Sequence, residues 1–204
     1  MLLIISIHFL FFIMVSLSSF VCSFGSVAFS GSRLLGSSAS VSCRAFLPVL
    51  AGFSGSVSVG CASGVDSLVR SAFPSASVFS VSSFLVGGRV ARASFARRSA
   101  ALVQSCAASG GLLVAFPLGA CPPSVRVSST FGGGGSGTWG SVALAVGLGC
   151  SVLVVVPSGA FPAPAALASC FRFVGVAPCG GALWLASPVP FPARSASGQL
   201  SLWG

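Results

Sequence analysis

Residues 2–22 read LLIISIHFLFFIMVSLSSFVC, and whether this run lies in lipid or in a protein core governs what the rest of the chain can be. It contains no Asp, Glu, Lys or Arg and no Gly or Pro. As a helix it would be roughly 31 Å long at about 1.5 Å per residue, close to one hydrocarbon thickness. A helix also satisfies its own backbone groups in hydrocarbon, which an isolated strand does not. The expectation is an apolar amino-terminal helix that meets the lipid bilayer through residues 2–22. Its two fates are a signal peptide and an uncleaved membrane anchor. Ser16 to Ser19 soften the run ahead of Val21, Cys22 and Ser23, so cleavage after Ser23 or Gly25 fits a secretory signal. No basic residue precedes the run, which favours the anchor, and the first following charge, Arg33, weakly places the amino end outside. A buried helix of a water-facing domain is the third alternative, disfavoured by the length and uniform apolarity of the run. The expected location is the membrane or the secretory pathway.

Composition points the same way. Charged residues make up 5% of the 204 positions and hydrophobic residues 54%, whereas a typical globular domain carries about 25% charged residues. The formal net charge of +9 comes from ten basic residues against the single Asp66. The high pI therefore reflects missing acids more than a concentrated basic face, and nucleic acid is an unlikely partner.

The depletion has a further pattern. Lys, Glu, Asn and Tyr are absent, and after Met14 the only Asp, Gln or Thr residues are Asp66, Gln104, Thr130, Thr138 and Gln199, with no Ile, His or Met. Every codon for these ten residue types contains adenine. Membrane selection has no reason to remove Ile while keeping Val, two β-branched aliphatics of similar transfer energy. An adenine-poor strand read in one frame explains the pattern, and such a strand also lacks stop codons by chance. Met1, Ile4, Ile5, Ile7, His8, Ile13 and Met14 crowd into the first fourteen positions, which sets the amino-terminal stretch apart.

Four regions follow. Residues 1–25 form the signal or anchor. Residues 26–138 are a low-complexity Ser/Gly/Ala/Val region carrying Arg89, Arg92, Arg97 and Arg98, the one charge cluster, read as a solvated basic linker since no aromatic platform or nucleic-acid motif surrounds it. VSVG near Val57 and the alternation over Val78–Val86 suggest short strands at most. Ser99 to Val125 is uncharged but interrupted by Gly110, Gly111, Pro117, Pro122 and Pro123. Residues 139–156, WGSVALAVGLGCSVLVVV, form a second candidate transmembrane helix, with Ala143, Gly147 and Ser151 at the small-residue spacing of lipid-packed helices; Ser151–Val156 would also suit a buried strand. Residues 157–204 form a Pro-rich tail, expected to be irregular, with PVPFP at 188–192 extended. The expected fold class is thus no confident globular fold: one or two membrane helices in a largely irregular Gly/Ser/Pro-interrupted chain.

Chemistry is sparse. Gly135, Gly137 and Gly140 match the spacing G-x-G-x-x-G, but the dinucleotide fingerprint needs a strand before it and an acidic residue about twenty positions later, and no acid follows Asp66. With no Lys, a Walker-type phosphate loop is excluded. Cys22, Cys43, Cys61, Cys106, Cys121, Cys150, Cys170 and Cys179 never form C-x-x-C, and His8 lies in the apolar run, so no metal site is expected. G-x-S-x-G is absent and one Asp cannot supply paired carboxylates. Asp66 is read as turning the chain after Gly64 or pairing with Arg70. These patterns assign no catalytic, cofactor-binding or metal-ligating residue, no cofactor and no enzymatic activity. The leading expectation is a hydrophobic product of an adenine-poor open reading frame without evolved function and with no assignable biochemical activity. The alternative is a small non-catalytic integral-membrane or secretory-pathway protein.

Overall fold

The computed structural model describes residues 16–132, 134–157, 163 and 165–187. In chain order these form a helix at 16–22 (α1), Ser26–Gly31 (β1), Ser38–Phe46 (α2), Ser56–Gly60 (β2), Val65–Ala72 (α3), Ser77–Phe79 (β3), Arg92–Ala108 (α4), Leu112–Phe116 (β4), Gly137–Gly147 (α5), Ser151–Val156 (β5), Ala165–Ala168 (α6), Arg172–Val176 (β6) and Ala182–Ala186 (β7). Short 3-10 turns occupy Leu47–Leu50 and Val81–Phe84.

The seven strands make one sheet in the order β3-β2-β1-β4-β5-β7-β6. β3, β2, β1, β4 and β5 run parallel, and β7 alone is antiparallel to its neighbours β5 and β6. A strand in the middle of a parallel sheet is covered on both faces and needs apolar residues at every position. LLVAF of β4 meets that requirement throughout and SVLVVV of β5 meets it after Ser151, and both strands are buried along their length. Polar or glycine-bearing β3 and β6 take the edges.

Alternation along the strands divides the core in two. Val27, Phe29, Leu112, Val114, Phe116, Leu153 and Val155 face one side, against α1, α2 and α3. Ala28, Leu113, Ala115, Val152, Val154 and Val156 face the other, against α4, α5 and Leu167 of α6. Helices on both faces of a mostly parallel sheet define a doubly wound α/β domain. The helices α4 and α5 stop by the same device. Gly110 and Gly149 take the left-handed conformation, at φ +60° and +72°. The following amides of Gly111 and Cys150 bond back to Cys106 and Ala145. This is the glycine-closed helix end that lets the chain drop straight into the next strand.

The expected membrane architecture is corrected on each of its supports. Residues 16–22 are the part of the 2–22 run that the structure describes. Leu17, Phe20 and Val21 there are at most 2% exposed within the sheet core, and the Ser18 hydroxyl donates to the Val49 carbonyl at 2.8 Å. That stretch is held by protein. Residues 1–15 lie outside the described residues. The second candidate span, 139–156, is α5, a turn at Leu148–Gly149, and β5. Among the described residues no helix is long and apolar enough to cross a membrane. The membrane helices expected at 16–22 and 139–156 are corrected to parts of a protein core, and the expected membrane or secretory location loses that support. The region taken as low-complexity and irregular holds β1 to β4 and α2 to α4, and the Pro-rich tail holds α6, β6 and β7. PVPFP at 188–192 lies outside the described residues.

Candidate functional site

In a doubly wound sheet a crevice forms beyond the carboxyl ends of the strands where the strand order reverses, because the connections on either side leave to opposite faces. Here the reversal falls between β1 and β4: the chain from β1 passes to α2 on one face, and the chain from β4 passes to α5 on the other. A crevice of about 590 Å³ opens at this place, within the range of small-molecule sites, roughly 300–1,000 Å³. Its walls are the carboxyl end of β1 with the loop after it (Ser30 to Leu34), the loop after β4 (Leu118 to Ala120), the turn into α5 and its first residues (Gly134 to Trp139) and the α4 side chains Arg92, Phe95 and Arg98.

The floor is an ion pair. Arg98 Nη1 donates to Asp66 Oδ2 at 3.1 Å, both side chains being 6% exposed, and the same oxygen accepts the Ala62 amide at 3.1 Å. The pair fits because residue 60 is glycine: a Cβ there would collide with the Arg98 guanidinium and the Asp66 carboxylate. The Arg98 Nε is buried and has no hydrogen-bond partner. A buried guanidinium N–H without an acceptor is costly. Beside it Arg33 stacks on the ring of Phe95 at 4.4 Å, a cation–π contact that steadies an exposed guanidinium at the rim.

The opposite wall is the start of α5. The Ser136 hydroxyl accepts the Trp139 amide at 3.4 Å, the usual capping contact, and the Trp139 indole N–H donates to the Gly119 carbonyl at 2.9 Å, tying the β4 loop to the helix. Gly134 and Gly135 turn the chain into the helix with φ of +49° and +99°. First-turn amides have no acceptor within a helix and carry its positive dipole end, so this wall favours anions. Half-buried Phe95 and Phe131 with Leu34 and Leu118 provide an apolar surface alongside.

Gly135 and Gly137 of the G-x-G-x-x-G match stand in the crevice wall, whereas Gly140 is inside α5. The match does not follow β1, so it is not the dinucleotide turn, although the loop does face the site. Of the basic cluster, Arg92 and Arg98 line the crevice from a helix and Arg98 is buried, in place of a solvated linker. Asp66 pairs with Arg98, while Arg70 donates to the Gly60 carbonyl at 2.7 Å. The Arg98–Asp66 pair is joined only by folding, across 32 positions. The one sequence cue to it was that the single acid needs a cation. Among the described residues no three His, Cys, Asp or Glu side chains group as metal ligands.

Compared with family models, curated proteins and solved structures, the chain matches none. What the geometry defines is a doubly wound α/β domain with a cationic crevice at its topological switch point.

Proposed function

We propose that the crevice binds a small phosphate-bearing molecule of the nucleoside phosphate class. The observation that carries this reading is that Arg33, Arg92 and Arg98 line one crevice together with the amino end of α5, the one carboxylate of the site being already engaged. The phosphate would lie against the α5 amides and the guanidinium groups, which recognise it by charge-assisted hydrogen bonds. Phe95, Phe131, Leu34 and Leu118 would cover a planar, weakly polar body of nucleoside size. The role assigned is binding, with no bond-making step.

Isothermal titration of the full chain with a panel of nucleoside mono-, di- and triphosphates, the matching nucleosides and inorganic phosphate tests it. The expected result is saturable binding of at least one nucleoside phosphate, tighter than both its nucleoside and inorganic phosphate, and weakened by salt. Arg33→Ala and Arg92→Ala, at exposed positions, should each weaken it about tenfold or more, one charge-assisted hydrogen bond being worth about 1.5–3 kcal/mol. A chain without evolved activity would bind none of the panel above the level of inorganic phosphate, and that outcome would return the reading to the adenine-poor frame.

A further inference from the structure

The helix-closing turns of α4 and α5 place two cysteines together behind the sheet, away from the crevice just described. Cys106 in the last turn of α4 and Cys150 just before β5 have their sulfurs 3.8 Å apart, both residues being at least nine-tenths buried. The backbone around each is pinned by the paired glycine turns, the Gly111 amide bonding to the Cys106 carbonyl and the Cys150 amide to the Ala145 carbonyl, both at 2.9 Å. A second, smaller crevice of about 220 Å³, at the amino ends of β1 and β2, is lined by Ser26, Ser105, Cys106 and Ser109. It opens onto Cys106, whose sulfur neighbours that of Cys150.

We propose that Cys106 and Cys150 are a redox modification site, joined by a disulfide when the protein meets a peroxide-class oxidant. A disulfide needs sulfurs about 2.0 Å apart, so they must close by less than 2 Å, within reach of side-chain rotation at two fixed backbone positions. The two thiols titrate as a pair: the hydrogen bond from Cys106 pushes the Cys150 thiol down, and the same bond with burial pushes Cys106 up. After one proton is lost to solvent, the remaining one rests on Cys106. The Cys150 thiolate attacks hydrogen peroxide, the O–O bond breaks, Cys150 becomes a sulfenic acid, and the released hydroxide is protonated to water. The Cys106 sulfur then attacks the sulfenic sulfur, the S–O bond breaks, and a second water leaves with the Cys106 proton. Two thiols and one peroxide give one disulfide and two waters. The closed loop encloses the β4 loop and all of α5, tying α4 to the start of β5.

The test uses the full-length chain with Cys121→Ser and Cys170→Ser, treated with hydrogen peroxide while folded. Trypsin then leaves peptides 99–126 and 127–172, which in this background hold Cys106 and Cys150 as their only cysteines. The expected result is a linked peptide pair, absent after reduction, in protein whose melting temperature rises by roughly 5–15 °C on oxidation. Cys106→Ala and Cys150→Ala should each abolish both the link and the rise. Failure to link at a peroxide dose that oxidises exposed Cys22, or linking only in urea-unfolded protein, overturns the proposal. A linked form that melts no higher than the reduced protein overturns the tie between α4 and β5.

Discussion

Replacing Asp66 with Ala removes the single carboxylate from a pair that is 6% exposed on each side and leaves the Arg98 guanidinium buried with neither Nη1 nor Nε satisfied. At 3.1 Å and an effective dielectric of about 20, the lost attraction is roughly 5 kcal/mol. The Ala62 amide also loses its acceptor, a further cost of about 1–3 kcal/mol. Water entering from the adjoining crevice offsets part of both. The expected loss is about 4 kcal/mol, in line with breaking other buried pairs. That is a large share of a typical 5–15 kcal/mol total, and it corresponds to a fall in melting temperature of roughly 8–16 °C. Arg98→Met should lose a similar amount by stranding Asp66. The double variant, which removes both charges, should lose no more than about 2 kcal/mol, giving a coupling energy of several kcal/mol of opposite sign to the single losses. Urea denaturation of the four proteins at pH 7 measures this. Single losses below about 1 kcal/mol, the value of a solvent-exposed pair, or a double variant equal to the sum of the singles, would refute the buried pair as the floor of the site.

Leu17→Ala tests whether the end of the amino-terminal run is core. Since Leu17 is fully buried beside Phe20, Val21 and the sheet, the substitution should cost about 3 kcal/mol in urea denaturation, whereas a residue facing lipid or solvent would leave the midpoint unchanged. Cys43 gives a pH signature: burial pushes its thiol from 9.0 to about 12. Below pH 9 the folded and unfolded chains both keep this proton, so it contributes no slope. Between about pH 9 and 12 only the unfolded chain loses it, so stability falls as pH rises, by up to about 1.4 kcal/mol per unit from this group. Cys43→Ala should make the urea midpoint visibly less steep over pH 9–11, and an unaltered slope would show that the thiol is not held in the core.

Much of this fold lay hidden in the sequence for reasons that are local. Gly110 and Gly111 read as interruptions of an apolar run, and Gly149 as one more small residue within a spanning helix. Both Gly110 and Gly149 are the left-handed stops between a helix and a buried strand. Once α5 and β5 are separated, SVLVVV is the buried strand that its β-branched run allowed. The scarcity of charge suggested a chain with no water-facing surface. The folded surface is instead built with Ser, Gly and Ala and tolerates exposed Leu34, Leu35 and Val41. The site was less legible still. Arg98 sits in a run of basic residues that looked uniformly solvated, and only the helix periodicity of α4 turns it inward while Arg92 and Arg97 stay exposed. The β6–β7 hairpin followed prolines that suggested irregular chain, and its Ala177–Gly181 turn depends on Gly180 at φ +83°.

The strand order also sets a timetable for biosynthesis. β1 precedes both of its partners on the chain and lies between them in the sheet, one edge pairing with β2 and the other with β4, Phe29 opposite Val114. At roughly 5–20 residues per second, the ~85 residues between these partners keep one edge of β1 unpaired for about 4–17 seconds. During that interval the nascent chain presents VAF with its backbone donors and acceptors open, the kind of edge that recruits strands from other molecules. The domain's exposure to misassembly is thus greatest on the ribosome, before the strand that completes its centre has been made.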